Sequence, residues 1–539
     1  MTAPAATRRI VPTLALAVAF MAAALATRLP VRDRTLFISD AGRYALAMER
    51  YDMTAGRPHP PGNPLYIGIA RAVDALVHDP PTSLAIVSAI ASGFAFLFAY
   101  LLGRDVAGET AGWIAAGIVA TSPLFWFFGA VAMPSTGEAA LSLLMAWLVR
   151  RARAPDARGL FWLMTVALAL SIGFRSTFAV LILPLWLYGA WRHPWRRIAA
   201  GLAVLAAAAA GWTLVVASLS GGLAAYREVT SSFFLDVVLR GKILGGGLGK
   251  VVPQTAAMAA SALLGLGLFL VPFLAGAWGC LTGRWPFPGA APFLAAWALP
   301  ALVFHAAYDW APRFGVLLLA PAAILAAATV APLVQRAARR RTGAEGLPRA
   351  LAALGLAVNV GLFVLPVRVF GVTLPEAYPS AARLLARNAD LARRDAAVRG
   401  SLPADETLVL AYDDTFHAVW FLPEYPTVGL FGAFKSGPDT WIPSARGRVF
   451  SFEPGSSAVP VGNPIRLPDG IRRAVLYDPD YRRIWPRADL PLTELPYDAG
   501  RALAVATIAE PGCLSFSLGH LAFVRAGDGD CPPGDAASR

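Results

Sequence analysis

Lysine is nearly missing from this chain: Lys242, Lys250 and Lys435 are the only three, so almost all of the 47 basic residues are arginines. Cysteine is equally scarce, with three in 539 residues, and no CxxC or Cys/His spacing suited to a structural zinc site occurs. Charge is thin as well, at 15% of residues against 57% hydrophobic, and the mean hydropathy is +0.55. A soluble globular domain carries about 25% charged residues. That shortfall excludes the soluble class, and the chain reads as an integral membrane protein. The net charge of +13 would suit nucleic acid, but the arginines gather in short clusters between apolar stretches. Positive-inside topology accounts for that pattern without a nucleic-acid partner. A nucleotide fingerprint is also lacking: the richest glycine run, Gly245 to Gly249, has no preceding strand and no GK[ST] ending, and reads as a flexible loop.

What is present is a series of apolar segments. A helix crosses the hydrocarbon core with about 20 apolar residues, and on that measure about eleven spans are expected. The first, Ile10 to Leu29, follows Arg8 and Arg9; Ala24-Leu25-Ala26 resembles a signal-peptidase site, but the apolar run exceeds the usual signal core of about 7 to 15 residues. A retained helix is favoured. Later spans run near 83–102, 111–130, 136–148, 160–173, 177–191, 198–219, 252–281, 290–307, 314–334 and 351–370. The two around Arg175 are short enough to be broken or tilted helices.

The arginine clusters test this topology. With the N-terminus inside, Arg8/Arg9, Arg104, Arg150 to Arg158, Arg192 to Arg197, Arg284 and Arg336 to Arg349 all fall on the cytoplasmic side. The loop 30–82, the turns near Met133 and His305, the 220–250 loop and everything beyond Phe370 then lie outside. The expected division is a membrane module, 1–370, and an external domain, 371–539. In the latter a helix-like run, Leu374 to Arg399, precedes strand candidates at Thr407–Ala411, Arg448–Phe452, Ala474–Tyr477, Leu503–Ile508 and Leu521–Arg525. A small α/β domain is expected there. Cys280 ends an apolar segment and reads as inert. Cys513 and Cys531 fall in the polar part, where an oxidising compartment would permit a disulfide, and whether they pair is left open.

Chemistry concentrates between Ser39 and Tyr66. Asp40 opens a helical pattern in which Tyr44 shares its face and Arg43 lies nearby. The plainer reading is an amphipathic interfacial helix whose charges face water. Then Arg57-Pro58-His59-Pro60-Pro61-Gly62-Asn63-Pro64-Leu65-Tyr66 packs four prolines and a glycine into ten residues. Such a stretch fixes the backbone at low entropic cost and suits a loop that holds His59 in place.

The order of Asp40, then RYALAMERYD, then PHPPGNPLY resembles the first external loop of bacterial membrane proteins in the GT-C superfamily of polyprenyl-phosphate-sugar-dependent glycosyltransferases. It is similar to the group related to protein O-mannosyltransferases, whose segment reads Asp, about twenty residues, then HPPG-x-PLY. The resemblance covers roughly Arg8 to Phe370, and the C-terminal domain matches only in being present. It implies an α-helical polytopic GT-C-like fold. It also implies that Asp40 is the general base taking a proton from an acceptor hydroxyl, which attacks the anomeric carbon with inversion. Such a base contributes about 10² to 10⁴ in rate. The donor implied is a polyprenyl-phosphate-linked sugar at a membrane lipid surface; the acceptor is a glycan, lipid or protein, and nucleic acid has no part.

A phosphate leaving group calls for cations. Arg175 interrupts an apolar stretch and reads either as a phosphate ligand or as a loop residue snorkelling to the surface. Arg313, in YDWAPRFGVLLLAP, resembles the Arg-aromatic segment opening a late span of related transferases, with differently spaced prolines. Arg240 and Lys242 are weaker phosphate candidates. Glu138 stands where many GT-C proteins carry a second acid; binding of the acceptor, binding of a metal, and capping of its own helix after Ser135 and Thr136 all remain open. No carboxylate pair has a spacing that demands a divalent cation, so no metal ligand is assigned and metal dependence is open. Two rival classes are a transporter or flippase of lipid-linked saccharides, which predicts internal repeats that are not found, and a non-catalytic envelope assembly protein.

Overall fold

A computed structural model describes residues 7–154, 157–234, 251–284, 289–308, 311–339, 347–365, 368–369, 372–373, 379–411, 414–429, 442–444, 447–451, 465–467, 470–479, 492–508, 516–518 and 521–525. The chain forms two compact units. One comprises Met1–Asp33 with Pro60–Leu385; the other comprises Arg34–His59 with Ala386–Arg539. The sequence reading divides the chain at 370, whereas the contacts divide it after Leu385 and group the Asp40 stretch with the C-terminal residues.

The first unit is a helical membrane bundle. Among the described residues six helices are long and apolar enough to cross a membrane: Thr13–Val31, Pro80–Ala107, Trp195–Leu219, Thr255–Leu281, Pro312–Arg336 and Leu347–Val364. Glu109–Thr121 and Pro123–Ala130 make a seventh if the pair, bent by 59°, is one span. Arg158–Phe174, Ser176–Ala190 and Ala290–Ala306 are apolar but shorter. The sequence expectation of about eleven spans includes these short helices, the two around Arg175 as broken or tilted ones, together with Ser135–Ala152, whose ends carry Glu138, Arg150 and Arg151.

The bent pair shows how the bundle tolerates a break in an apolar setting. Pro123 cannot donate a backbone N–H, so the helix stops at Thr121 and restarts, with the Ser122 hydroxyl accepting from the Phe125 N–H at 3.3 Å. The carbonyls of the interrupted turn then need partners. Arg28, itself buried, donates from Nη2 to the Ala120 carbonyl at 2.6 Å, with its guanidinium between the Phe96 and Trp126 rings.

Pro80–Ala107 and Pro312–Arg336 are largely buried and form the centre, while Trp195–Leu219 and Leu347–Val364 expose most of their apolar surface. In lipid that arrangement costs nothing, because the hydrocarbon is as apolar as a protein core. Helices there associate through close packing, and Gly112 permits it: a Cβ at this position would lie 2.7 Å from the Tyr100 carbonyl oxygen of the neighbouring helix. Exposed Trp191 and Trp195 flank Arg192 in the pattern of an interfacial anchor.

The second unit contains a seven-stranded mixed sheet. Its order is Ile442–Ser444, Gly447–Ser451, Thr427–Gly429, Thr407–Ala411, Arg473–Leu476, Arg501–Thr507 and Leu492–Asp498. Four central strands run parallel, with Val409 opposite Val475, and antiparallel strands close both edges. Thr407–Ala411 is buried throughout, as a central strand covered on both faces must be. The helix Ala381–Ser401 presents Leu391 and Val398, two turns apart, to a core with Val409, Val475, Leu503 and Val505. The expected α/β character holds, and the expected strand at Thr407–Ala411 matches residue for residue.

Candidate active site

Asp40 lies in the first turn of the helix Ser39–Glu49, in the second unit. The segment is rich in helix formers and ends where Arg50 turns to extended backbone. A helix N-terminus favours negative charge in its first turn. One turn on, Tyr44 is buried, and its ring lies 5.6 Å from that of His59. His59 Nδ1 stands 3.6 Å from Asp40 Oδ1, an electrostatic contact longer than a hydrogen bond. Asp40, Tyr44 and His59 form a local cluster. Arg43 faces elsewhere, with its guanidinium 4.4 Å above the Phe416 ring.

His59 is delivered by a tight loop. Asp52 and Arg57 form an antiparallel bridge, with Asp52 N–H donating to the Arg57 carbonyl at 2.6 Å and Arg57 N–H returning to Asp52 at 2.9 Å. The Asp52 carboxylate accepts from the Thr54 N–H and hydroxyl at 3.0 and 2.6 Å, and Gly56 closes the turn with φ 69°. Burial pushes the Arg57 guanidinium below its usual value, opposed by the carboxylate of Asp52. These contacts hold the backbone entering Pro58-His59.

The second half of the proline-rich stretch belongs to the first unit and has a separate task there. Asn63, buried and left-handed at φ 48°, precedes Pro64, which opens the helix Pro64–Val77. Its Nδ2 donates to the Phe174 carbonyl at 3.1 Å. That carbonyl belongs to the last turn of Arg158–Phe174, where intrahelical partners run out. The Tyr66 ring meets the Phe174 ring edge-on at 5.6 Å. Phe174 is thus fixed from two sides, and the next residue is Arg175. Neither Asn63 nor Tyr66 is singled out by the sequence reading, although both lie inside the HPPGNPLY stretch that signals the site.

Arg175 is the single extended residue, φ −163°, between Arg158–Phe174 and Ser176–Ala190. It donates from Nη1 to Glu138 Oε1 at 2.8 Å, both side chains being mostly buried. Glu138 sits in the first turn of Ser135–Ala152, whose N-cap, Pro134, has no side-chain capping bond. The carboxylate therefore pairs with Arg175. His305, near the end of Ala290–Tyr308, is buried within the electrostatic reach of both Arg175 and Arg313. Its ring stacks on Phe314 at 4.0 Å, and the Arg313 guanidinium lies 5.0 Å from the same ring. The first unit thus assembles Glu138, Arg175, His305 and Arg313 from four helix ends. Nothing in the sequence marks His305, which lacks a motif of its own.

Arg240, Lys242, Cys513, Cys531 and the Gly245–Gly249 run lie outside the described residues. Cys280 is a free thiol. Among the described residues no three His, Cys, Asp or Glu side chains gather as a metal cage.

Residues 58–220 match the family described as Dolichyl-phosphate-mannose-protein mannosyltransferase. The chain is similar to the crystal structure of ArnT from Cupriavidus metallidurans bound to undecaprenyl phosphate, at 16% identity and a TM-score of 0.54, covering 94% of this chain and 100% of that one. Against the apo state of the same protein the identity and coverage are unchanged and the TM-score is 0.51. No curated protein sequence matches the chain. The fold is that of the ArnT structure, and the resemblance read from the first loop agrees with the family matched over residues 58–220.

Proposed function

We propose that the chain is a membrane glycosyltransferase that moves a sugar from a polyprenyl-phosphate-linked donor to an acceptor hydroxyl. The reaction takes place at the external face of a bacterial cytoplasmic membrane, with the N-terminus inside and the C-terminal unit outside. The observation that carries this reading is the cationic group of the first unit. Arg175, paired with Glu138, and Arg313 both act on the buried His305 among otherwise apolar helices. Arginines placed at helix ends among apolar segments are costly to insert and mark sites where an anionic group is handled. A phosphate ester fits, because the planar guanidinium matches its oxygens in a two-pronged geometry. The undecaprenyl phosphate bound to the ArnT relative is a ligand of that chemistry.

In the proposed reaction the acceptor O–H gives its proton to the Asp40 carboxylate while its oxygen bonds to the anomeric carbon. The bond from that carbon to the phosphate oxygen breaks on the opposite face, and the electron pair leaves with the polyprenyl phosphate. The anomeric configuration inverts. Arg175 and Arg313 offset the charge growing on the leaving phosphate, Glu138 holds Arg175 in place, and Tyr44 and His59 line the base.

The test is transfer of radiolabelled sugar from polyprenyl-phosphate donors in proteoliposomes, comparing wild type with Asp40→Asn. A loss of about 10² or more is expected for removal of a general base. Equal transfer by both removes Asp40 from that role. Movement of the lipid-linked sugar across the bilayer without transfer would make the chain a flippase.

A further inference from the structure

The residues leading into the Asp40 helix are gripped by the sheet-bearing unit at several points. Asn388 Oδ1 accepts from the Arg34 N–H at 2.9 Å and from the Thr35 hydroxyl at 3.1 Å. Phe37 packs against the hydrophobic core formed by Leu391, Val409 and Val475. Gly42 lies so close to the helix Thr415–Phe421 that a Cβ there would come within 3.2 Å of the Phe416 backbone carbon. Arg43 covers the Phe416 ring on the same helix.

At the centre of this grip is His417, which is buried. Its Nδ1 hydrogen-bonds the Thr35 carbonyl, and its Nε2 lies 3.2 and 3.1 Å from the two oxygens of Asp395. The Tyr477 hydroxyl donates to Asp395 Oδ1 at 2.5 Å, and Phe421 stacks on the imidazole at 4.7 Å. Beyond these neighbours, Arg394 and Asp414 act on Tyr477, and Arg399 feels Asp395. A carbonyl oxygen only accepts, and so does an ionised carboxylate, whereas a neutral imidazole offers one N–H. The resulting link runs from the helix Ala381–Ser401 through His417 to the backbone five residues before Asp40.

We propose that His417 is a positioning residue for Asp40: held by Asp395, it fixes the Thr35 carbonyl and so sets the register in which the Asp40 helix leaves the α/β unit. The sheet-bearing unit is then the holder of the base. This rests on the reading of Asp40 as the general base, and the test separates the two.

The experiment is hydrogen exchange on the full-length protein in lipid nanodiscs, with wild type, His417→Leu and His417→Gln. Loss of a charge-assisted hydrogen bond is worth roughly ten- to a hundredfold in an opening equilibrium. Amides of residues 35–49 are expected to exchange faster by that factor in His417→Leu and by less in His417→Gln, which keeps one donor. The strands Thr407–Ala411 and Arg473–Leu476 should retain their protection. Equal loosening of those strands makes His417 a general core residue and overturns the proposal, as does unchanged exchange at 35–49. If His417→Leu does not fold, Asn388→Ala supplies the same comparison, because it removes a second clip without emptying the core. Transfer kinetics give the second readout: kcat should fall by about tenfold or more with KM nearly unchanged, the pattern of a misplaced catalytic group. A wild type that shows no transfer defeats the base assignment and leaves the exchange result standing.

Discussion

Three side chains in the first unit can be tested one at a time. Glu138 and Arg175 form a mostly buried ion pair at 2.8 Å. Removing one partner of such a pair leaves an uncompensated charge, at a cost of about 3 to 5 kcal/mol. Glu138→Gln is therefore expected to lower the thermal midpoint in detergent, and added polyprenyl phosphate should restore part of it if the freed guanidinium takes the phosphate. Arg175→Gln leaves the carboxylate unpaired; it should destabilise similarly without that rescue. Asn63 acts differently, because its amide satisfies the Phe174 carbonyl just before Arg175. Asn63→Ala strands a buried acceptor, at about 1 to 3 kcal/mol, and replaces a residue that tolerates the left-handed backbone by one that does not. Lower stability together with weaker phosphate binding, measured by calorimetry on the purified protein, is the expected result; intact phosphate binding would remove Asn63 from the support of Arg175.

At the level of elements, close approach decides more than hydrophobicity. Pro80–Ala107 packs on Glu109–Thr121 through Gly112, where any side chain would meet the Tyr100 backbone oxygen. Gly112→Val should push the two helices apart and cost about 1 to 3 kcal/mol as overpacking, whereas the same change at Gly159, which has open space around it, should be nearly silent. A steric-trapping or thermal measurement on both variants in bilayers would distinguish these outcomes. This is also where the sequence was only partly legible. Apolar runs announce helices in a membrane, but they do not distinguish a full crossing from Ser176–Ala190, at 15 residues, or from a pair bent at Pro123. The strand Thr407–Ala411 was readable because a buried run of five bounded by polar residues has few alternatives. In contrast, the seating of Arg34–His59 on the C-terminal unit depends on Asn388, Phe416 and His417, more than 300 residues away in sequence. No local pattern encodes a contact of that kind. The HPPGNPLY stretch marks a candidate site by resemblance, while the contacts inside it, His59 near Asp40 and Asn63 beside Arg175, follow only from the folded backbone.

Across the whole molecule, two different solvents set the stabilising forces. The bundle is apolar outside and held by packing, whereas the α/β unit combines a hydrophobic core with a buried charged network. In that network Arg394 bonds Asp390 and reaches Asp414 at 3.0 Å, Arg387 holds Asp414 at 2.6 Å, and Arg501 holds Asp390 at 2.7 Å. Burial opposes the charge of Arg394, but Asp414 and Asp390 prevail and raise it above its usual value. Tyr477, fully buried beside these groups and bonded to Asp395, is likewise pushed well above its usual value, first by burial and then by the Asp395 charge. The sign of its effect on stability follows from linkage. An unfolded tyrosine ionises near about pH 10, so the stability that depends on a neutral Tyr477 is present below that pH and is lost as the pH rises from there toward the folded value. The α/β unit should accordingly soften at alkaline pH. Hydrogen exchange of Thr407–Ala411 and Arg473–Leu476, followed from neutral pH upward and corrected for the intrinsic rate, reads this directly. Tyr477→Phe forfeits the hydroxyl bond to Asp395, about 1 to 3 kcal/mol at neutral pH, but has no phenol to ionise. Its stability curve should therefore start lower and stay flatter above about pH 10. Parallel curves for the two proteins would show that the alkaline response comes from another group in the network.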